Sequence, residues 1–299
     1  MSTGNYKGHL AAIAANIFFG LNLNVTKVLF SASWMTPLGL IITRMIMSLL
    51  VFWIIGFFMP KQEARPRELL IIALGGVFGI VIALVSFTMA IRLISPVVYS
   101  LIQTMGPIIV LLLSALLSME SITPKKAVGV IIGISGAALI VIQNAGSGAA
   151  KISILGICIA FLSVTAYSAH ILIIRKVAGK FTPITIMKWM YLWSFILLSP
   201  LGIPELPHQR LFTSEFTLLP FLLVGYTAIF ASIIGSFLMP IALKRVKATA
   251  VSMYSTLQPL TASTAAIIIG QDVFSWDKPL AFILIVTGVF LVTHTASKQ

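Results

Sequence analysis

Two short stretches set a phenol four residues ahead of a carboxamide: Tyr99 with Gln103 in YSLIQTMGP, and Tyr254 with Gln258 in YSTLQP. On a helix each pair shares one face, and every member both donates and accepts hydrogen bonds. Such pairs suit two tasks, holding a polar solute or joining helices across an apolar interior. Gly106 and Pro107 follow the first pair and Pro259 the second. Proline removes a backbone donor and crowds the carbonyl four residues back, so these positions are expected hinges with freed carbonyls nearby.

The surroundings decide what such residues can do. Hydrophobic residues make up 59% of the chain and charged ones 9%, too little polar surface to solvate a globule of this length. Ten apolar stretches of about 20 residues follow, each long enough to cross a hydrocarbon core roughly 30 Å thick as a helix. Their limits are near 8–30, 36–59, 68–91, 95–118, 125–143, 152–174, 183–203, 217–243, 248–270 and 279–296. Without water to satisfy the backbone, runs of this length must be helical. The expected fold is all-α, a polytopic membrane protein. The first run holds Asn16, Asn22 and Asn24 and lacks a small-residue cleavage site, so it is expected to remain as a span.

A formal charge of +13 does not point to nucleic acid, because the cations punctuate span ends. Lys7, Lys61, Arg65, Arg67, Lys125, Lys126, Arg175, Lys176, Lys180, Lys244, Arg245, Lys247 and Lys298, thirteen in all, share the side of the N-terminus. Lys27, Arg92, Lys151, Arg210 and Lys278, five, fall opposite. The positive-inside rule then places both termini in the cytoplasm and the protein in the cell (inner) membrane. One cysteine, Cys158, leaves no internal disulfide or cysteine metal cluster. The loops are too short for a soluble domain.

The Gly, Ala and Ser-rich QNAGSGAAK reads as a connector between two halves, 1–146 and 147–299. A shift of 152 residues superposes Pro107 on Pro259, Glu120 on Asp272 and Gly136 on Gly288. A shift of 148 pairs Gly8 with Gly156, Lys27 with Arg175, Gly20 with Ser168 and Asn22 with His170. Each half carries five spans, and an odd number makes the second copy cross in the opposite sense, giving two inverted five-helix repeats. The tyrosine-glutamine pairs need a shift of 155 instead, so their equivalence does not follow from the repeat.

Two cations interrupt apolar runs. A charge near the bilayer centre costs about 3 kcal/mol on insertion scales. Arg44, seven residues past Pro37, is expected to snorkel or meet helix-end carbonyls. Lys188, five past Pro183, is expected at a cavity or at the interface. His170 suits a proton-carrying role, although a lone membrane histidine is more often a structural hydrogen-bonder. All seven acids, Glu63, Glu68, Glu120, Glu205, Glu215, Asp272 and Asp277, lie at span ends or in loops, which disfavours a pump for organic cations. The four histidines, His9, His170, His208 and His294, are scattered with no nucleophile or metal spacing, so intramembrane catalysis is the minor alternative, with a channel-like facilitator beside it.

FFGLNLNVTKVL, the arginine of ITRMIMSLLVF, and the pair MESITPKKAVGVIIGISGAALIV and QDVFSWDKPLAFILIVTGVFLV together resemble EamA-type members of the drug/metabolite transporter superfamily. The resemblance covers essentially the whole chain. It implies ten helices in two repeats around a central cavity lined mostly by the first, third, fourth, sixth, eighth and ninth, and it implies export. The second half has no arginine matching Arg44. The expected solute-binding residues are Asn16, Asn22, Tyr99, Gln103, His170, Lys188, Tyr254 and Gln258, with Gly106, Pro107 and Pro259 as hinges. No catalytic residue, metal or cofactor is expected. The expected cargo is a small polar metabolite, amino acid-like and neutral, zwitterionic or anionic, moved by alternating access in a monomer or weak dimer.

Overall fold

The computed structural model describes residues 3–117, 122–146, 153–213, 217–246, 248–270 and 276–294. Glu120 and Asp272, the acid pair of the repeat, lie outside the described residues, as does most of the connector. The described residues are helical, with no strand among them. Ten helical rods can be followed: α1 Thr3–Ser31, α2 Pro37–Phe57, α3 Pro66–Leu93, α4 Pro96–Leu116, α5 Pro124–Gly146, α6 Ile154–Ala178, α7 Pro183–Gly202, α8 Leu218–Arg245, α9 248–268 and α10 Asp277–His294. Among the described residues, seven helices, α1 to α4 and α6 to α8, are long and apolar enough to cross a membrane. Leu50, Ile54, Phe57, Leu116, Ile154 and Ile268 stay exposed on the outside of the bundle, as a lipid-facing surface requires.

Helix starts follow from local chemistry. Thr36, Ser95 and Thr182 each precede a proline at the first helical position, and each hydroxyl accepts a bond from a free backbone N–H of the first turn, at 3.1 to 3.3 Å. The hinge prolines act as their chemistry demands. α4 breaks after Gln103 and restarts at Gly106, with Pro107 just inside the new segment. In α9 a 3-10 turn, Tyr254–Thr256, precedes the segment that carries Pro259. Both breaks lie within five residues upstream of a proline, where the ladder loses a donor.

α3 and α8 each contain a π-helical stretch, Val77–Ile82 and Thr227–Gly235. These positions superpose under the same 152-residue shift as the prolines. No sequence feature had marked them.

The packing is two-fold. α1 lies against α8 and α9, α6 against α3 and α4, α2 against α7, and α5 against α10. Exchanging each helix for the one five places along returns the same pairs. The contacts also fix the sense of the two halves. Gly8, at the start of α1, and Arg175, near the end of α6, meet the same segment at the end of α8: a methyl on Gly8 would stand 2.8 Å from the side chains of Arg245 and Val246, and Arg175 Nη1 donates to the carbonyls of Leu243 and Val246. At the other face, Lys27 near the end of α1 donates to the carbonyls of Ile91 and Ile94, at 2.8 and 3.2 Å, and a methyl on Gly156 at the start of α6 would stand 2.8 Å from Leu93 and Ile94. α1 and α6 therefore run in opposite senses. Each cation occupies carbonyls that a helix end leaves without intrahelical donors, where the helix dipole favours positive charge.

Candidate functional site

A cavity of about 650 Å3, open solvent at its mouth included, lies between the halves. It spans the middle of the bundle and the half nearer the far face, the face where α1 ends. Its walls come from α1 (Asn22), α2 (Arg44), α3 (Gly79), α4 (Tyr99, Gln103), α6 (Ser163, Tyr167), α7 (Tyr191), α8 (Ser232, Ser236) and α9 (Gln258). These include the six helices that the resemblance implies, with one residue each from α2 and α7 in addition. Both π-helical stretches border it, through Gly79 and Ile80 on one side and Ala231 and Ser232 on the other. A smaller cavity of about 310 Å3 lies toward the N face, where α1 begins, and is lined among others by Asn16, Ser168, Ser252 and Ser255. Gln103 and Tyr167 border both, so they stand between the two.

Arg44 carries the charge of the larger cavity. Its side chain is 4% exposed; Nε donates to Ser232 Oγ at 2.7 Å, and Nη1 has no hydrogen-bond partner. Tyr191 holds the same stretch of α8 by donating to the Ser232 carbonyl at 2.9 Å. Among the described residues, no carboxylate lines either cavity. Neither snorkelling nor a helix-end carbonyl satisfies Arg44, in contrast to the expectation from its position along α2.

Lys188 stands elsewhere. Its ammonium lies 5.4 Å from the ring of Trp53 and 5.5 Å from that of Trp189, and its stem runs past Gly56. Trp53 is 40% exposed on the outer surface of the bundle. Lys188 is a wall of neither cavity, and its charge is met by indole faces.

The other expected site residues divide. Asn22, Tyr99, Gln103 and Gln258 line the larger cavity and Asn16 the smaller. Tyr99 shares a 2.9 Å bond with Ser163 Oγ, and Gln258 Nε2 donates to Asn16 Oδ1 at 2.7 Å. Gly106 borders the smaller cavity, and its carbonyl accepts from Ser168 at 3.5 Å. His170 is buried with Nδ1 2.8 Å from the Gly75 carbonyl and its ring stacked on Tyr167; it lines neither cavity. Tyr254 lines neither, bonding instead to His9 Nδ1 at 2.7 Å near the N face. Sequence reading missed Ser163, Tyr167, Tyr191, Ser232 and Ser236. Two four-residue spacings, Ser163 with Tyr167 and Ser232 with Ser236, repeat the signature that singled out Tyr99 with Gln103 and would have found four of the five.

The fold and the cavity define a multi-pass helical membrane protein of two inverted repeats around a chamber whose largely apolar wall carries a set of polar side chains. The profile of the EamA-like transporter family matches residues 6–142 and again 154–294. The chain belongs to the EamA-like transporter family and is a membrane transporter. An uncharacterized transporter of Archaeoglobus fulgidus is 27% identical over 169 residues, 56% of this chain and 58% of its own length. The uncharacterized transporter YyaM of Bacillus subtilis is 21% identical over 94% of this chain and 92% of its own. A crystal structure of a protein with 21% identity superposes with a TM-score of 0.68 over 99% of this chain and 98% of that one, a likeness of fold.

Proposed function

We propose that the protein is a secondary carrier that moves a small polar metabolite, uncharged, zwitterionic or anionic, by alternating access through the larger cavity. All ten rods cross the inner membrane on this reading. The excess of cations on the N face makes that face cytoplasmic, and the far face, nearer the larger cavity, the outer one. One observation supports the choice above the rest: a chamber walled by both repeats and rich in hydroxyl and carboxamide groups, with Arg44 as its charged group and no carboxylate among the described residues. Such a lining disfavours an organic cation, which would meet the Arg44 guanidinium with no described acid beside it. Export, the direction that the resemblance implies, is the working direction.

The test uses purified protein in proteoliposomes loaded with metabolites that accumulate in overexpressing or deletion cells. Flux should saturate with concentration and fall at least tenfold when Leu84→Trp fills the chamber. Flux that rises linearly would mean a channel. A covalently altered lipid or peptide with unchanged flux would mean an enzyme.

A further inference from the structure

Arg44 is more than a polar wall. Its guanidinium is buried, its Nε is taken by Ser232 Oγ, and Nη1 is left without a partner. A buried charge with neither counter-ion nor full hydrogen bonding is costly, and an unmade bond costs more than a made one returns. No described acid compensates it. Glu68 pairs with Lys180 at 3.0 Å, Glu205 accepts from Thr36 Oγ1 at 3.1 Å, and Glu63 is exposed in the loop after α2.

Three more orphaned groups surround the same chamber. Tyr167 OH, Asn22 Oδ1 and Gln258 Oε1 are buried without partners, and all three residues line it with Arg44. The four come from α1, α2, α6 and α9, so both repeats contribute. Arg44 Nη1 and Tyr167 OH are donors; the two carboxamide oxygens are acceptors. Each of these atoms is closed to water in this structure, so a ligand meets them as the lining side chains shift around it, and one that then satisfies all four presents an acceptor-rich anionic group and a hydrogen donor. The planar guanidinium fork matches a carboxylate. Phe19 and Phe87 on the same wall offer apolar surface for the remainder of the molecule.

Resting on the carrier reading above, we propose that the transported solute carries a single carboxylate that docks on Arg44, with an N–H or O–H hydrogen turned toward the oxygens of Asn22 and Gln258. A consequence follows for the transport cycle. Reorientation of the empty carrier drags an uncompensated guanidinium through a closed state, whereas the loaded carrier moves it neutralised. Carboxylate on one side of the membrane therefore accelerates efflux of carboxylate from the other.

The experiment takes full-length protein and a probe series of 2-hydroxy and 2-amino monocarboxylates, from lactate and alanine to 3-phenyllactate and phenylalanine, with the amide of each and sodium chloride alone. Thermal stabilisation in detergent and counterflow in proteoliposomes are read together. At least one acid should stabilise the protein and stimulate counterflow, with its amide at least tenfold weaker in both. Arg44→Gln should erase the difference between acid and amide, and Arg44→Lys, which keeps the charge and loses the fork, should retain part of it. Three results overturn the proposal: no acid acts, the amides match the acids in the unaltered protein, or chloride alone gives the full response, which would mark an inorganic anion site. The outcome separates from the carrier reading. If acids and amides pass equally and Leu84→Trp stops both, the carrier stands and the carboxylate falls. If Leu84→Trp stops nothing, the carrier reading itself is wrong.

Discussion

The corner around Tyr99 and the corner around Tyr254 are built from equivalent parts and hold opposite conditions. At the first, α4 meets α6 through Tyr99 and Ser163; at the second, α9 meets α1 through Tyr254 and His9. These helix pairs exchange under the repeat. Tyr99 nevertheless lines the larger cavity, while Tyr254 lines none. The frames around them differ little, since Lys27 caps the end of α3 at one face as Arg175 caps the end of α8 at the other. The tyrosines stand three residues out of register under the repeat shift, and their partner side chains differ as well. Ser163 is short and also donates to the Ala83 carbonyl at 2.7 Å, so it anchors Tyr99 within the cavity wall. The imidazole of His9 reaches farther and ties the two repeats together near the N face. An inverted repeat thus keeps its helix packing equal and puts its asymmetry into side-chain latches such as these.

The severest test of the equal frames is to strip the caps. Lys27→Met and Arg175→Met each leave two helix-end carbonyls without their cation, a loss of about 2–3 kcal/mol for charge-assisted bonds in a partly buried setting. Both variants should melt several degrees below the parent in detergent, by comparable amounts. One silent variant beside one damaging variant would break the equivalence of the corners.

The latches are weaker. Tyr254→Phe removes one hydrogen bond between repeats, worth about 1 kcal/mol or a roughly fivefold change in a two-state population. A reporter cysteine at Ser252, which lines the smaller cavity, reads the N-face opening after the exposed Cys158 is changed to serine. Tyr254→Phe should speed its alkylation by N-ethylmaleimide about fivefold, whereas Tyr99→Phe should leave it unchanged or slower. Equal acceleration by both would mean that the two tyrosines are common packing and hold no state.

What the sequence made legible follows the same division. Gly8 with Gly156 and Lys27 with Arg175 were readable because close helix approach tolerates few residue types, and a helix end in lipid must find a cation or water. Pro107 and Pro259 were readable because their effect on the ladder is local. The orientation of a polar side chain around its helix was not. In a soluble bundle the apolar stripe reveals the buried face, but here lipid is as apolar as the core, and the periodicity that would separate inside from outside is lost. That is why Lys188, and not Arg44, was expected among the solute-binding residues, although both lie at similar distances from a helix-starting proline; the structure sets Arg44 in the cavity wall and Lys188 against Trp53 and Trp189. The π-helical stretches escaped notice for a related reason, since the extra residue in a turn depends on tertiary packing as much as on local residue type.

Lys188 supplies the smallest expected effect, and its smallness is informative. Its ammonium gains its stabilisation from the rings of Trp53 and Trp189, each contact worth roughly 0.5–1 kcal/mol where the site is partly exposed. Lys188→Gln should therefore cost about 1 kcal/mol of stability and change saturable flux by less than twofold. Arg44→Gln, also removing one cation at comparable depth, should cost flux at least tenfold with little change in melting temperature, because the unpaired guanidinium contributes no net stability to the empty protein. If the order were reversed, with flux resting on Lys188 and stability on Arg44, the transport path would run along the surface between α2 and α7. The enclosed chamber would then be a packing defect rather than a route.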